Sequence, residues 1–134
     1  MSTFHLQIVT PDGLFFDGQA ERLTVRAATG DLTILPRHMD FVAALGMGQA
    51  RVSCEGNVRN AACIGGMLRV QNGEVRLLAT TFEWADEIDF DRARRAKEVA
   101  ESRLQNRASM TADEIRLAEA KLRRALVRIG LQER

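Results

Sequence analysis

Glycine and proline are concentrated toward the start of this chain. Of its ten glycines only Gly130 lies beyond Gly73, and both prolines, Pro11 and Pro36, come early. Neither residue type occurs between positions 74 and 129. Because glycine and proline mark turns and are costly inside helices, this distribution predicts a turn-rich β part followed by a helical part.

The first 86 residues show the alternation of half-buried strands. Phe4, Leu6 and Ile8 fall on one face of the opening segment, as a period of two requires. Asn72-Gly73 separates two apolar runs and is the strongest short signal for a two-residue hairpin turn. The pattern predicts a β-sandwich of roughly eight to ten short strands, with segments at 4–10, 14–16, 21–27, 32–35, 41–45, 50–54, 58–64, 67–71 and 74–80.

The period of the pattern changes near Trp84. Asp86 or Asp89 is suited to cap a helix that begins there, since a carboxylate accepts hydrogen bonds from the free N–H groups of the first turn. The apolar stripe of this first helix is mostly alanine and comprises Ile88, Ala93, Ala96, Ala100 and Leu104.

A second helix is predicted after a break at 106–110. Thr111 and Glu114 have the spacing of a capping box, and Gly130 is placed to end the helix in a left-handed conformation. Its apolar stripe comprises Ile115, Ala118, Leu122, Ala125 or Leu126, and Ile129. The fold class is therefore α+β, with a β-sandwich domain at 1–86 and an antiparallel two-helix hairpin at 87–134.

The alanine-rich stripe leaves two interpretations of the hairpin open. A buried methylene contributes roughly 0.8 kcal/mol, so an alanine seam stabilises docking much less than a leucine seam. Alanine also keeps the helix itself stable. These properties suit a movable arm, and the alternative is a hairpin that stays packed permanently.

The charge is divided between the two parts. Residues 1–87 carry seven Lys and Arg against ten Asp and Glu, whereas residues 88–134 carry twelve against eight. The hairpin is therefore mildly basic and suited to an acidic protein surface. Nucleic acid is disfavoured because the chain has no tyrosine and its hairpin does not interleave aromatic with basic residues.

Membrane insertion and secretion are not expected. No segment approaches the ~20 consecutive apolar residues of a membrane span, and residues 1–10 lack the apolar run of a signal peptide. Cys54 and Cys63 have no metal-type spacing. They fit buried free thiols in a reducing compartment.

Motifs that carry catalysis are missing from the sequence. It has no phosphate-binding loop, no Gly-x-Ser-x-Gly, no Cys-x-x-Cys and no His-Glu-x-x-His. The two histidines, His5 and His38, are too few for a cupin-like metal enzyme. The sequence therefore predicts neither a metal site nor catalysis by this chain.

Four motifs follow one another along nearly the whole chain. Residues 9–13 read Val-Thr-Pro-Asp-Gly, and residues 30–38 approximate Gly-[Asp/Glu]-x-Gly-Ile-x-Pro-x-His. Apolar strand motifs follow at 65–70 and 75–79, and residues 88–93 fit Ile/Leu-Asp-x-x-Arg-Ala. In this order, with strands before a hairpin, they resemble the epsilon subunit of the bacterial F-type ATP synthase and the similar delta subunit of mitochondria.

The resemblance implies a non-catalytic rotor subunit of the central stalk, peripheral to the cytoplasmic face of the bacterial inner membrane. The β-sandwich would bind the gamma subunit and the ring of c subunits, with Asp31 facing the c ring and His38 near gamma. The hairpin would be an inhibitory lever. Folded down it permits ATP hydrolysis, and extended along gamma it reaches the catalytic alpha and beta subunits and blocks rotation.

No cofactor is required by the resemblance, but ATP holds the hairpin down in some members of the family. The residues carried over for this site are Glu83, Ile88, Asp89, Arg92 and Ala93. The arginines that nucleotide-binding members place further along both helices correspond here to Val99, Leu122 and Leu126, with Arg103, Arg123 and Arg124 nearby. Any regulatory ATP site is therefore expected to be weak.

One residue departs from the family's motif, and one alternative function of another class stays open. Thr33 stands where the family usually has glycine, so the local turn is expected to differ. An alternative of another class is a small β-barrel whose basic hairpin grips nucleic acid, and steep salt dependence of binding would identify it.

Overall fold

The structure, a computed structural model, describes residues 2–132. The outer ends of the two predicted domains, residues 1 and 133–134, lie outside this range. The strands are β1 (Phe4–Thr10), β2 (Gly13–Ala20), β3 (Arg22–Ala27), β4 (Gly30–Ile34), β5 (Phe41–Cys54), β6 (Asn57–Gln71) and β7 (Glu74–Trp84). The helices are α1 (Phe90–Leu104) and α2 (Ala112–Ile129), preceded by 3₁₀ turns at Ala85–Glu87 and Arg107–Ser109.

The strands form one sheet in the order β2-β1-β7-β6-β5-β3-β4. β1 and β7 run parallel, and the other neighbouring pairs are antiparallel. Side chains from β1 and β7 share one apolar core with those from β3 and β5, so the sheet closes over itself as the predicted β-sandwich. Its largest fully buried side chains include Leu6, Ile8, Leu23, Ile34, Leu68 and Leu77.

The described sheet has seven strands rather than eight to ten because two strands are long. β5 joins two predicted segments across Gly46 and Gly48, and β6 joins two across Gly65 and Gly66. Both glycines of β6 have positive φ, +72° and +125°. Glycines of this kind bend a strand without ending it.

Gly66 is a point of close approach between β6 and β7. A Cβ at this position would lie 2.0 Å from the carbonyl oxygen of Leu78. Backbone therefore occupies the space that any side chain would need.

The two-residue hairpin turn predicted between β6 and β7 is confirmed. Gln71 pairs with Glu74, and the intervening Asn72 and Gly73 have φ of 52° and 79°. Two successive positive φ values define the turn whose twist matches the flanking strands.

The predicted helix starts are also confirmed. Asp89 caps α1 and accepts a hydrogen bond from the Arg92 N–H at 3.0 Å. Thr111 accepts from the Glu114 N–H, and the Glu114 carboxylate accepts in return from the Thr111 N–H. These bonds satisfy N–H groups that have no partner within the helix.

The left-handed ending predicted at Gly130 is wrong. Gly130 has φ of −61° and ψ of −16°, in the right-handed helical region, because the chain continues as a helical turn through Leu131 and Gln132. A Cβ on Gly130 would lie 3.0 Å from the side-chain nitrogen of Gln49. A side chain at this position would therefore crowd the end of the Gln49 side chain.

The two helices pack on each other through small side chains. Ala93 and Ala100 of α1 and Ala118 and Ala125 of α2 are buried, as the stripes predicted. Leu126, by contrast, is about half exposed.

A separate small cluster joins the hairpin to the sheet. It is formed by Ala62 of β6, Ile88 ahead of α1 and Leu131 after α2. The main core contains no residue of either helix. The hairpin therefore rests on the outside of the sandwich, and within residues 2–132 neither helix is long and apolar enough to span a membrane.

Candidate functional site

The two helices and the end of β7 enclose a groove of about 760 Å³. Alanines of both helices line it, because the small side chains of the seam leave space between the helices. A volume of this order lies within the roughly 300–1,000 Å³ typical of small-molecule pockets.

The groove contains three carboxylates. Glu83 comes from the end of β7, Glu87 from the 3₁₀ turn and Asp89 from the cap of α1. Asp89 is engaged with the backbone of α1. Glu83 accepts a hydrogen bond from Nε of Arg128 at 2.5 Å.

The groove also contains six cationic side chains, twice the number of carboxylates. Among the ion pairs of residues 2–132, only that with Glu83 engages one of them. The remaining five cations give the groove a positive potential suited to a polyanion such as a phosphate chain. The six cations are Arg92, Arg95, Arg103, Lys121, Arg124 and Arg128.

The structure brings together every residue that the resemblance carried over for nucleotide. All of them line the groove, namely Glu83, Ile88, Asp89, Arg92 and Ala93. Val99 lines it as well, together with two of the nearby arginines, Arg103 and Arg124. Arg123, Leu122 and Leu126 are not among the lining residues described.

Two cations that line the groove from α2, Lys121 and Arg128, were not singled out from the sequence. They lie three residues after Ala118 and three after Ala125, the two buried alanines of α2. Side chains three or four apart share a helix face. Placing the cations relative to the alanine stripe would therefore have identified them.

Asp31 lies at the start of β4 on the exposed hairpin that connects to β3. It forms an ion pair with Arg26 at 3.3 Å, directly across the two strands. Thr33 takes a regular strand position opposite Thr24, with the two hydroxyl oxygens 3.1 Å apart. The motif glycine is therefore not needed to form this strand.

His38 lies in the connection between β4 and β5. Its Nδ1 donates to the carbonyl oxygen of Met39 at 2.8 Å, and its ring packs edge-on against Phe41 at 5.8 Å between centroids. The apolar side chains around it are unusually exposed: Leu35 is 52%, Met39 76% and Val42 59% accessible. Exposed apolar clusters of this kind mark interaction surfaces.

An apolar row crosses five neighbouring strands on the outside of the sandwich. Its members pair in register from β2 to β5, and three of them are more than two-fifths exposed. Val42 is two residues from the last member and so projects from the same side of β5. The apolar row comprises Leu14, Val9, Leu78, Met67 and Ala44.

His5 lies on β1 between carboxylates of the two adjacent strands. Its Nε2 bonds Asp17 of β2, and its Nδ1 bonds Glu74 of β7 at 2.6 Å. The hydrogen bond to Asp17, and then that to Glu74, raise the pKa of His5 above its usual value, while the bond to His5 lowers the pKa of Asp17. The carboxylates occupy opposite sides of the ring and do not converge on a point where a metal ion could bind.

The two cysteines are free thiols. Cys63 lies in the main core, and burial raises the pKa of its thiol to about 12. Cys54 is partly buried, and burial likewise raises its pKa. Within residues 2–132 no group of three His, Cys, Asp or Glu side chains is arranged to hold a metal ion.

Two family models match consecutive parts of the chain. Residues 3–85 match the beta-sandwich domain of the ATP synthase delta/epsilon chain, and residues 86–131 match the long alpha-helix domain of the same chain. The chain belongs to the ATP synthase epsilon family. The predicted resemblance is thus confirmed.

Curated epsilon chains match over nearly their whole length. The ATP synthase epsilon chain of Bacillus velezensis is 44% identical over 131 residues, which cover 98% of each chain. That of Halalkalibacterium halodurans is 40% identical over 134 residues, covering 100% of both. The nucleic-acid-binding alternative finds no support in these matches.

Solved structures of low sequence identity share the epsilon fold. A chain of the Euglena gracilis mitochondrial ATP synthase, from a structure of its OSCP, F1 and c-ring, matches with a TM-score of 0.85 at 20% identity. It covers all of this chain and 83% of its own length. A chain of the Tetrahymena thermophila mitochondrial ATP synthase central stalk and c-ring matches with a TM-score of 0.62 at 11% identity, covering 96% and 95%.

Proposed function

We propose that this chain is a non-catalytic subunit of the rotor of a bacterial ATP synthase, and that its hairpin is a regulatory lever. The observation that carries the proposal is the attachment of the hairpin. It shares no residue with the main core and joins the sheet through the small cluster around Leu131. Release of the hairpin would leave the sandwich core covered, and a few kcal/mol would separate the two positions.

The groove is the proposed regulatory site for ATP. Five unpaired cations of the described residues line it, and they come from both helices. A triphosphate held between α1 and α2 would bridge cations that otherwise repel one another, and so favour the folded hairpin. Weak affinity is expected because Val99 stands where nucleotide-binding relatives place arginine.

The apolar row, together with the exposed apolar side chains around His38, is the proposed contact with the gamma subunit. The apolar row adjoins Val42, which leads to the loop of His38 and Met39. Burial of these side chains against a partner would stabilise assembly by roughly 25 cal/mol per Å² of apolar surface. The turn between β3 and β4, where Asp31 lies, is the proposed contact with the c ring.

The basic hairpin is the proposed contact with the catalytic alpha and beta subunits. Its excess of cations over carboxylates suits acidic surfaces there, and extension along gamma would bring it to them. The subunit would accordingly lie at the cytoplasmic face of the inner membrane as a peripheral part of the complex.

Removal of residues 88–134 tests the lever in the assembled enzyme. We expect the shortened subunit to assemble, because the main core is intact, while ATP hydrolysis rises or loses its dependence on nucleotide concentration. Steady-state hydrolysis of the purified complex measures this, with an Arg123→Gln subunit as the full-length control. Hydrolysis identical to that of the unaltered enzyme at every nucleotide concentration would contradict the lever.

A further inference from the structure

The hairpin meets the sheet at one row of three paired residues. Gln49 of β5 lies opposite Ala62 of β6, and Ala62 lies opposite Glu83 of β7. These three residues are called the sheet row below. They form a continuous surface across three neighbouring strands.

The end of α2 contacts each member of the sheet row. Arg128 donates to Glu83 at 2.5 Å, Leu131 packs on Ala62, and the glycine at position 130 brings the backbone against Gln49. Arg128 and Leu131 are three residues apart and so project from the same side of the last turn. These end-of-helix residues, 128–131, are called the clasp.

The contacts of the clasp are the best shielded between the hairpin and the sheet. The side chains of Arg128 and Glu83 are 25% and 35% exposed, the least exposed ion pair within residues 2–132. Leu131 is 1% exposed. Shielded charge pairs are screened less by salt than open ones, and a fully buried leucine is among the largest apolar contributions that one side chain makes.

A further contact ties the chain end to the other helix. Arg94 of α1 donates to the side-chain oxygen of Gln132 at 2.5 Å and also pairs with Asp91. This bond joins the turn that follows the clasp to α1.

We propose that the clasp is the positioning element that holds the hairpin on the sandwich, and that its release from the sheet row is the event that frees the hairpin. Arg128 acts as a positioning residue through Glu83, which also lines the groove. The consequence for the enzyme rests on the proposed lever, whereas the holding role itself is a property of the isolated chain.

Thiol labelling of the full chain, without nucleotide, measures release directly. Ala62→Cys places a thiol beneath Leu131, and Cys54→Ser removes the partly exposed native thiol. Cys63 stays in the main core as an internal reporter of sandwich unfolding. Because labelling requires exposure, its rate at position 62 reports how often the hairpin is released.

Arg128→Gln is expected to raise the labelling rate at position 62 about tenfold, the size typical for loss of a hydrogen bond to a charged group. Labelling of Cys63 should not change. Arg123→Gln, which removes an exposed charge from the same helix, should leave both rates unchanged. Leu131→Ala removes the apolar contact alone and should raise the rate at position 62 independently.

Glu83→Gln distinguishes loss of the Arg128–Glu83 bond from a general loss of stability. Glu83→Gln and Arg128→Gln together should label no faster than the faster single variant, because both remove the same bond. Additive effects, equal effects of Arg123→Gln, or a parallel rise at Cys63 would overturn the proposal. If Ala62→Cys prevents folding, Gln49→Cys supplies the reporter from the same row.

The two proposals fail in different ways. Unchanged labelling in all clasp variants would overturn the clasp and leave the lever standing. Faster labelling of the clasp variants would support the clasp. If ATP hydrolysis by the complex did not respond to removal of residues 88–134, the lever would be contradicted even so.

Discussion

Single side chains are expected to decide whether the proposed site in the groove holds a nucleotide. Arg92 and Arg103 line it from α1, and Arg124 lines it from α2. Guanidinium groups bind phosphate oxygens in pairs of parallel hydrogen bonds, so each one contributes both affinity and orientation.

Arg124→Gln is therefore expected to weaken ATP binding by the full chain about tenfold. Calorimetric titration measures this, and amide shifts from Ile88 to Ala93 locate the ligand. The matched control is Arg123→Gln, whose side chain is not among those lining the groove. Equal loss in both variants would contradict the groove as the site, and no binding by the unaltered chain at millimolar ATP would remove the nucleotide while leaving the rotor role.

His5 makes the stability of the sandwich depend on pH. Its pKa is raised in the folded chain by the bonds to Asp17 and Glu74, so its contribution is complete below the unfolded pKa and is lost as pH rises through the folded pKa. The pKa of Asp17 is lowered by His5, so the contribution of Asp17 is lost only as pH falls through that lower value.

His5→Gln should accordingly remove the part of the decline in melting temperature that accompanies a rise from roughly pH 5.5 to 8.5, the range around the ordinary histidine pKa. Thermal unfolding across that range measures it. Asp17→Asn should weaken the same dependence. A decline of undiminished steepness in His5→Gln would show that other groups are responsible.

The local signals in the sequence predicted the residues whose partners are close along the chain. Asp89, and Thr111 with Glu114, bond within their own turn. Asn72 takes positive φ within its two-residue turn, so neighbouring residues determine the roles of all four. The motif at 88–93 likewise identified one end of the groove. Lys121 and Arg128 belong to no motif and were missed, because only their spacing of three residues after the buried alanines of α2 indicates that they face the groove.

The strands and helices are shaped by approaches between distant backbones. Gly66 of β6 meets the carbonyl of Leu78 in β7 with no room for a Cβ, and its φ is +125°. In the sequence alone, a glycine indicates the end of a strand. Here it allows β6 and β7 to approach closely while they remain paired in one long ladder. This is why β5 and β6 were predicted as separate short segments. Gly130 was assigned the wrong conformation because the helical turn continues through Leu131 and Gln132.

Gly66→Ala is expected to destabilise the sandwich by about 3 kcal/mol or more, since it combines a clash with backbone strain. Gly73→Ala is the matched control, because it also has positive φ but nothing within 4 Å of its Cβ position. It should cost only about 1–2 kcal/mol. Urea unfolding of both variants gives the comparison, and equal costs would mean that the close approach at Gly66 relaxes freely.

The molecule as a whole consists of a sandwich with its own core and a hairpin with its own seam. The change of period near Trp84 marks this division in the sequence, whereas the region without glycine and proline also includes β7 of the sandwich. The size of the contact between the parts was not predictable, because it depends on Leu131 meeting Ala62 across 69 positions. The proposed function depends on that contact.

Native-state hydrogen exchange of the full chain tests this division most directly. Short helices that leave their docking site are only marginally stable in water, so amides of α1 and α2 should exchange through an opening of distinctly lower free energy than those of β1, β6 and β7. Arg128→Gln should lower the first free energy and leave the second unchanged. One common opening free energy for the helices and the central strands would contradict the account.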